Sequence, residues 1–179
     1  MKLARVKICG LTSRRDIELC SRHDLNALGF VVEYPVPVPW NIPRHRAREL
    51  VACVPPYIAR VIVVGGTTEH ILAIANFVEP DAIQLHHDES VDQTRDIVSA
   101  LASRHIHVIK VIRMPAHQDG SAVNVARCIE TCQQFVETGI SALLLDSQTS
   151  AMPAGTGVPL DWHIARQIRN SVNVPLILA

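Results

Sequence analysis

The regular alternation of strand patterns with amphipathic helix patterns constrains the fold of this chain most. Seven short runs rich in β-branched residues recur every 22 to 35 residues and predict strands at residues 4–9, 27–32, 60–64, 82–86, 107–112, 142–146 and 174–178. Between them, apolar residues repeat with a helical period, most clearly at residues 44–54, 68–78 and 124–136. Strictly alternating units of this kind predict an α/β fold with a parallel sheet and helices outside it.

Two architectures contain such units, an open doubly wound sheet and a closed TIM barrel. No Gly-x-Gly-x-x-Gly pattern follows the first strand, which weakens the dinucleotide-binding form of the open sheet. Polar residues at successive strand ends favour the barrel. Since a closed barrel needs an eighth strand, we predict one domain over residues 1–179, an incomplete (β/α)8 barrel that stops at or after strand seven. We expect a gap between the seventh and first strands, with poor solubility and no activity for the isolated chain.

Composition narrows the class of partner. The chain has 17 Lys plus Arg and 17 Asp plus Glu, and this neutral balance argues against nucleic acid as the main partner. It has no long apolar run typical of a membrane span and no signal-peptide pattern. Five irregularly spaced cysteines indicate free thiols in a reducing cytosol, so we predict a cytoplasmic protein. Cys128 and Cys132 could share one helix face, but helix packing explains them better than a metal site.

Polar side chains gather at the strand ends on the face that should point into the barrel. Side chains alternate across a strand, so Lys7 and Cys9 share one face of the first strand. The same alternation turns Gln84 and His86 inward in the fourth predicted strand and Asp146 inward in the sixth. Active sites of such barrels lie at the carboxyl ends of the strands. A nearby ammonium favours a thiolate, so Lys7 makes Cys9 a candidate functional thiol.

Each of these residues also has a purely structural interpretation. Cys9 could be a small buried filler, which is the usual fate of a free cysteine. Asp146 could cap the loop that follows it. Gln84 and His86 could form a satisfied polar pair in the mouth of the barrel.

Six segments, in order along the chain, resemble the phosphoribosylanthranilate isomerase family. They are Lys7-Ile8-Cys9-Gly10-Leu11-Thr12, Ala27-Leu28-Gly29-Phe30-Val31, Gln84-Leu85-His86 with Asp88-Glu89 behind it, Leu143-Leu144-Leu145-Asp146-Ser147, Gly155-Thr156-Gly157 and Asp161-Trp162. The first and fourth are fairly specific, whereas Gly-Thr-Gly alone would be weak.

The resemblance implies an isomerase of tryptophan biosynthesis that performs an Amadori rearrangement of N-(5-phosphoribosyl)anthranilate. It assigns the general acid to Asp146 and the general base to Cys9, and it implies no cofactor and no metal. Lys7, Gln84 and His86 are then substrate-binding candidates. The partner would be a small phosphorylated substrate, with no nucleic acid and no membrane, and the protein would be a monomer or a homodimer.

This sequence departs from the family pattern at three places. The loop after the second strand usually carries a basic residue for the anthranilate carboxylate, but residues 34–40 contain none and should be stiff and extended because of their prolines. Arg44, Arg46 and Arg113 are possible substitutes. Residues 152–155 lack a usual glycine pair, and Leu160 replaces a usual phenylalanine. The phosphate site would lie beyond residue 179.

Two other functions remain open on sequence alone. The altered loop would suit a related isomerase that acts on a different aminosugar phosphate. A barrel paralogue that lost its activity is the non-enzymatic alternative. Retention of both Cys9 and Asp146 argues against that paralogue.

Overall fold

The computed structural model describes residues 4–115, 124–148 and 159–179. Its strands are β1 (Lys7–Ile8), β2 (Ala27–Val32), β3 (Asn41–Ile42), β4 (Ala59–Val64), β5 (Ala82–Leu85), β6 (His107–Pro115), β7 (Ala142–Gln148) and β8 (Leu176–Leu178). Its helices are α1 (Arg14–Cys20), α2 (Arg44–Val51), α3 (Thr68–Val78), α4 (Val91–Ala102), α5 (Val125–Val136) and α6 (Trp162–Ser171).

The strands form one parallel sheet in the order β1-β2-β4-β5-β6-β7-β8, and the short β3 pairs with the end of β2. This path contains seven strands, of which β8 is the seventh, and β3 is a short addition beside β2. It confirms the prediction of a parallel barrel-type sheet with about seven strands. β1 and β8 are the two ends of this order, and within the described ranges they do not pair with each other. All the carboxyl ends of the strands lie at one edge, which we call the mouth.

Alternation along the strands separates two apolar layers. Residues that point outward, such as Leu28, Ile83 and Leu143, pack in the main core between the sheet and the helices. Residues that point inward form a smaller cluster, which consists of Val61, Ala82, Ile109, Val111, Ala142 and Leu144. The inner face therefore has an apolar floor beneath the polar residues of the mouth.

Side-chain caps explain where several helices begin. Ser13, Thr67 and Ser90 each accept a hydrogen bond from a backbone N–H in the first turn of α1, α3 and α4. Asn124 and Asp161 do the same for α5 and α6. Each of these helices follows a strand of the parallel sheet, so it begins at the same end of the molecule as the mouth.

Some predicted boundaries were wrong. The helix predicted at residues 44–54 ends at Val51, because the residue before Pro55 is disfavoured in a helix and tight turns replace the last residues. The first strand is only Lys7–Ile8, and its outward Val6 and Ile8 are 44% and 40% exposed rather than covered by helices. β6 and β7 run further toward the mouth than predicted.

No helix in the described ranges is long and apolar enough to cross a membrane.

Candidate active site at the mouth

Lys7 crosses the interior of the curved sheet. Its Nζ donates a hydrogen bond to Oε1 of Gln84 on β5, although β2 and β4 separate the two strands in the sheet. Burial lowers the pKa of Lys7, and the negative charges of Cys9 and Asp146 partly oppose that shift. Lys7 is therefore close to both residues assigned to acid–base chemistry.

Cys9 lies directly over Gly29 of the neighbouring strand. A Cβ atom added to Gly29 would lie 2.6 Å from Sγ of Cys9, so any other residue at this position would force the thiol to move. The N–H groups of Gly10 and Leu11 both donate to the carbonyl of Gly29 at 3.1 Å and fix the turn after Cys9. Cys9 is itself exposed, so its thiol is open to the mouth.

His86 and Asp146 meet beneath the surface of the mouth. Nε2 of His86 lies 3.1 Å from Oδ2 of Asp146, and the two residues are only 9% and 6% exposed. Asp146 is buried, and its contact with His86 confirms the prediction that it points inward. The imidazole can donate to an ionised carboxylate, or in its other tautomer accept from a protonated one. The pair can therefore stay hydrogen-bonded in both protonation states of Asp146.

Arg113 also lies at the mouth, next to Asp146. The two residues are partners in the register of β6 and β7. Nη2 of Arg113 donates to the carbonyl of His86 at 2.6 Å, and Nη1 donates to Oδ1 of Asp88 at 2.8 Å. Tyr34, from the loop after β2, donates its hydroxyl to the same carbonyl at 2.8 Å. Only 18% of the Arg113 side chain is exposed, whereas its partner Asp88 is 77% exposed.

The other two candidate arginines are occupied elsewhere. Arg44 binds the carboxylate of Glu33 through three side-chain hydrogen bonds of 2.7–3.1 Å, which raises its own pKa and lowers that of Glu33. Arg46 pairs with Glu49 on the exposed face of α2. The structure thus leaves Arg113 as the candidate arginine at the strand ends.

The loop after β2 is not extended, contrary to the prediction from its prolines. The side-chain amide of Asn41 accepts from the backbone N–H of Tyr34 and donates to its carbonyl, both at 2.9 Å. These bonds fold the loop back, and Asn41 then starts β3 beside β2. The loop also carries Trp40 against the backbone of Gly10, next to Cys9.

The sequence analysis assigned no role to two buried charged residues near the site. Lys110 on β6 points away from the mouth and forms an ion pair with Glu89, with Nζ and Oε2 2.6 Å apart. Alternation along β6 does place Lys110 on the other face of the strand from Arg113, but no local pattern links Lys110 to Glu89.

The segment around Gly155-Thr156-Gly157 and residues 152–155 lie outside the described residues. Among the residues that are described, no group of His, Cys, Asp and Glu has the geometry of a metal site.

Comparison with known proteins gives a consistent result. A family model described as "PRAI: N-(5'phosphoribosyl)anthranilate (PRA) isomerase" matches residues 6–179. The N-(5'-phosphoribosyl)anthranilate isomerase of Methanosarcina acetivorans is 32% identical over 179 residues, which cover 98% of this chain and 74% of that protein.

Solved structures agree with the sequence match. Phosphoribosyl anthranilate isomerase from Thermotoga maritima superposes with a TM-score of 0.76 and 29% identity, covering 99% of this chain and 77% of the other. A second such enzyme was solved in complex with reduced 1-(o-carboxyphenylamino)-1-deoxyribulose 5-phosphate. It has a TM-score of 0.71 and 29% identity, with 98% and 75% coverage.

Proposed function

Because this chain belongs to the N-(5'-phosphoribosyl)anthranilate isomerase family, we propose that its mouth carries out the Amadori rearrangement with Cys9 as base and Asp146 as acid. The observation that carries this assignment is the buried contact between His86 and Asp146, on the same inner face as Lys7 and Cys9. The protein is an isomerase, and its reaction belongs to tryptophan biosynthesis.

The reaction needs an acid that gives a proton to the substrate and a base that removes one from it. Asp146 donates a proton to the furanose ring oxygen, the bond from that oxygen to C1 breaks, and an open-chain protonated imine forms. The Cys9 thiolate then removes the proton from C2, and the resulting enol-amine tautomerises to the aminoketose. Acid–base assistance of this type contributes about 10²- to 10⁴-fold per group. Asp146 regains its proton and Cys9 loses one before the next turnover.

The neighbouring polar residues support both groups. The ammonium of Lys7 lies near both Cys9 and Asp146. Gln84 accepts from that ammonium and so holds it on the inner face of the sheet. His86 can donate through Nε2 to Oδ2 of Asp146 throughout, while the other carboxyl oxygen gives up and regains the proton. Lys7, Gln84 and His86 therefore line the substrate site in this proposal.

Arg113 is the proposed anchor for the anthranilate carboxylate. Its guanidinium has five N–H donors in a fixed fork, and two of them are accounted for by His86 and Asp88. Asp88 is mostly exposed, so a substrate carboxylate can replace it without leaving a buried charge unpaired. Arg44 is already bound by Glu33. We assign the small phosphorylated substrate to this mouth, and we propose a cytoplasmic monomer or homodimer.

Turnover of N-(5-phosphoribosyl)anthranilate by the chain and its variants tests the proposal, and turnover by the parent would contradict the expectation from the sequence that the isolated chain is inactive. Cys9→Ala and Asp146→Asn should each reduce kcat by at least about 10²-fold with the fold intact. Matched controls are Cys20→Ala on α1 and Asp92→Asn, whose side chain is 88% exposed. Equal effects of Asp146→Asn and Asp92→Asn would contradict the acid assignment.

One observation favours a second candidate. The loop after β2 has no free basic residue, so an aminosugar phosphate without a carboxylated ring would also suit the mouth. Parallel assays with N-(5-phosphoribosyl)anthranilate and its analogue without the carboxylate separate the two. A preference for the analogue would favour the second candidate, and no turnover of either would favour an inactive paralogue.

A further inference from the structure

A buried ion pair lies just outside the mouth, on the helix-facing side of the sheet. Nζ of Lys110 and Oε2 of Glu89 are 2.6 Å apart, and the two side chains are 4% and 0% exposed. The ammonium also lies 5.3 Å from the centre of the Phe135 ring, which belongs to the main core. Neither charge can reach a substrate in the mouth, and the acid–base mechanism uses neither.

Both members of the pair bind the backbone of His87. The carboxylate of Glu89 accepts from the N–H of His87 at 3.2 and 3.3 Å. The ammonium of Lys110 donates to the carbonyl of His87 at 2.9 Å. The peptide group between His86 and His87 is held from its other side too, where Tyr34 and Arg113 donate to its carbonyl. The carbonyl of His86 and both polar backbone groups of His87 are therefore hydrogen-bonded.

Stability alone is a weak reason for this arrangement. Burial lowers the pKa of Lys110, even though the charge of Glu89 opposes the shift. Removing two charges from water is costly, and apolar pairs of similar volume are often as stable as a buried ion pair. What an apolar pair cannot supply is a hydrogen-bond acceptor and a donor for His87.

We propose that Lys110 and Glu89 are positioning residues, which clamp the backbone of His87 and thereby hold the His86 imidazole against Asp146. The proposal rests on the function proposed above and adds two residues that do not touch the substrate. The contact between Nε2 of His86 and Oδ2 of Asp146 depends on where the backbone places residue 86. A displacement of about 1 Å at a reacting group can cost about 10²-fold in rate.

A double substitution separates positioning from stability. Glu89→Leu with Lys110→Met removes both charges together and leaves no unpaired ion. We expect kcat to fall about 10- to 100-fold with KM unchanged, and the melting temperature to fall only by a few degrees, because the N–H and carbonyl of His87 lose their partners. Glu89→Gln with Lys110→Met restores an acceptor for His87 and should recover part of kcat. The matched control removes the exposed pair on α4 with Asp92→Leu and Arg95→Met, and it should change neither constant.

A second readout needs no turnover. In the parent, Asp146→Asn should shift the NMR signals of the His86 ring, because the two side chains are in contact. In the Glu89→Leu/Lys110→Met background the same substitution should shift them much less. If the parent does not turn over the anthranilate substrate, the proposed function is contradicted. The NMR experiment still tests whether Lys110 and Glu89 position His86.

Three results would overturn the clamp. They are parental kcat in the apolar double variant, an undiminished response of His86 to Asp146→Asn in that background, and loss of the fold in both double variants. The last would show that the pair acts through stability.

Discussion

Replacing Gly29 with alanine should disable the site while leaving most of the fold intact. The new Cβ would lie 2.6 Å from Sγ of Cys9, so the thiol has to move about 0.8 Å to reach the 3.4 Å at which ordinary contact begins. Cys9 is exposed, and its side chain can rotate away into solvent. Because that rotation takes the thiol from its place above β2, we expect kcat to fall about 10- to 100-fold.

The stability cost should be modest by comparison. Inserting a methyl group into a tight site costs about 1–3 kcal/mol, and the free rotation of Cys9 puts Gly29→Ala near the lower end. For a chain of this size, 1 kcal/mol corresponds to about 2–4 °C in melting temperature. A shift of this size leaves the protein folded at the assay temperature. A large fall in kcat beside it would therefore indicate that the base has been displaced.

Steady-state kinetics and thermal unfolding of four proteins provide the test: the parent, Gly29→Ala, Cys9→Ala and the double variant. Part of the stability cost of Gly29→Ala should disappear in the Cys9→Ala background, because Sγ is then absent. The contacts of 3.2 Å with the Cβ and Cα of Cys9 remain in both backgrounds. Parental kcat in Gly29→Ala would refute the role of a precisely placed thiol at this position.

Three further predictions address other parts of the molecule. Arg113→Lys should raise KM for the anthranilate substrate about 10-fold or more in initial-rate measurements, because a lysine cannot form the bidentate contact; an unchanged KM would remove Arg113 as the anchor. The hydrogen bonds from Arg60 lower the pKa of Asp81, so their stabilisation is present above the ordinary pKa of an aspartate and is lost as pH falls through the lowered value. Urea unfolding should therefore show that Asp81→Asn costs at most about 1 kcal/mol at neutral pH, since both side chains are partly exposed, and nothing in strong acid. Burial raises the pKa of Cys132 to about 12, so a thiol reagent at pH 8 should modify Cys9 in the native protein and Cys132 only after unfolding; equal rates would contradict this.

The inner face could be derived from the sequence because strand alternation is a local rule. Once Leu143 and Leu145 are assigned to the helices, Asp146 must point inward, and the structure places all three accordingly. The same rule turned Gln84 and His86 toward the mouth. In a parallel sheet the carboxyl ends of the strands lie at one edge, but the sequence does not give the distances between their side chains. The inner face could therefore be predicted, whereas the contact between His86 and Asp146 could not.

Lys110 shows where that reasoning fails. Alternation assigns it to the outward face of β6, where an apolar residue is expected. Its burial makes sense only with Glu89, which comes from the loop after a neighbouring strand and sits 21 residues earlier. A charge on an outward strand position gives no sign of its partner. The one signal on β6 itself was the exception, a lysine among outward residues that are otherwise apolar, namely Val108, Ile112 and Met114.

The predicted conformation of the loop after β2 was wrong for a different reason, and this loop bears on how the substrate is recognised. Prolines restrict φ but do not determine where a chain turns, and the amide of Asn41 bends this loop back onto Tyr34. In the folded loop Glu33 binds Arg44, so the next basic residue along the chain is already paired with a carboxylate. The proposed anchor, Arg113, stands on a strand end and is fixed by His86 and Asp88. A carboxylate held from a strand is placed more rigidly than one held from a loop, so exchanging the loop should affect KM less than changing Arg113.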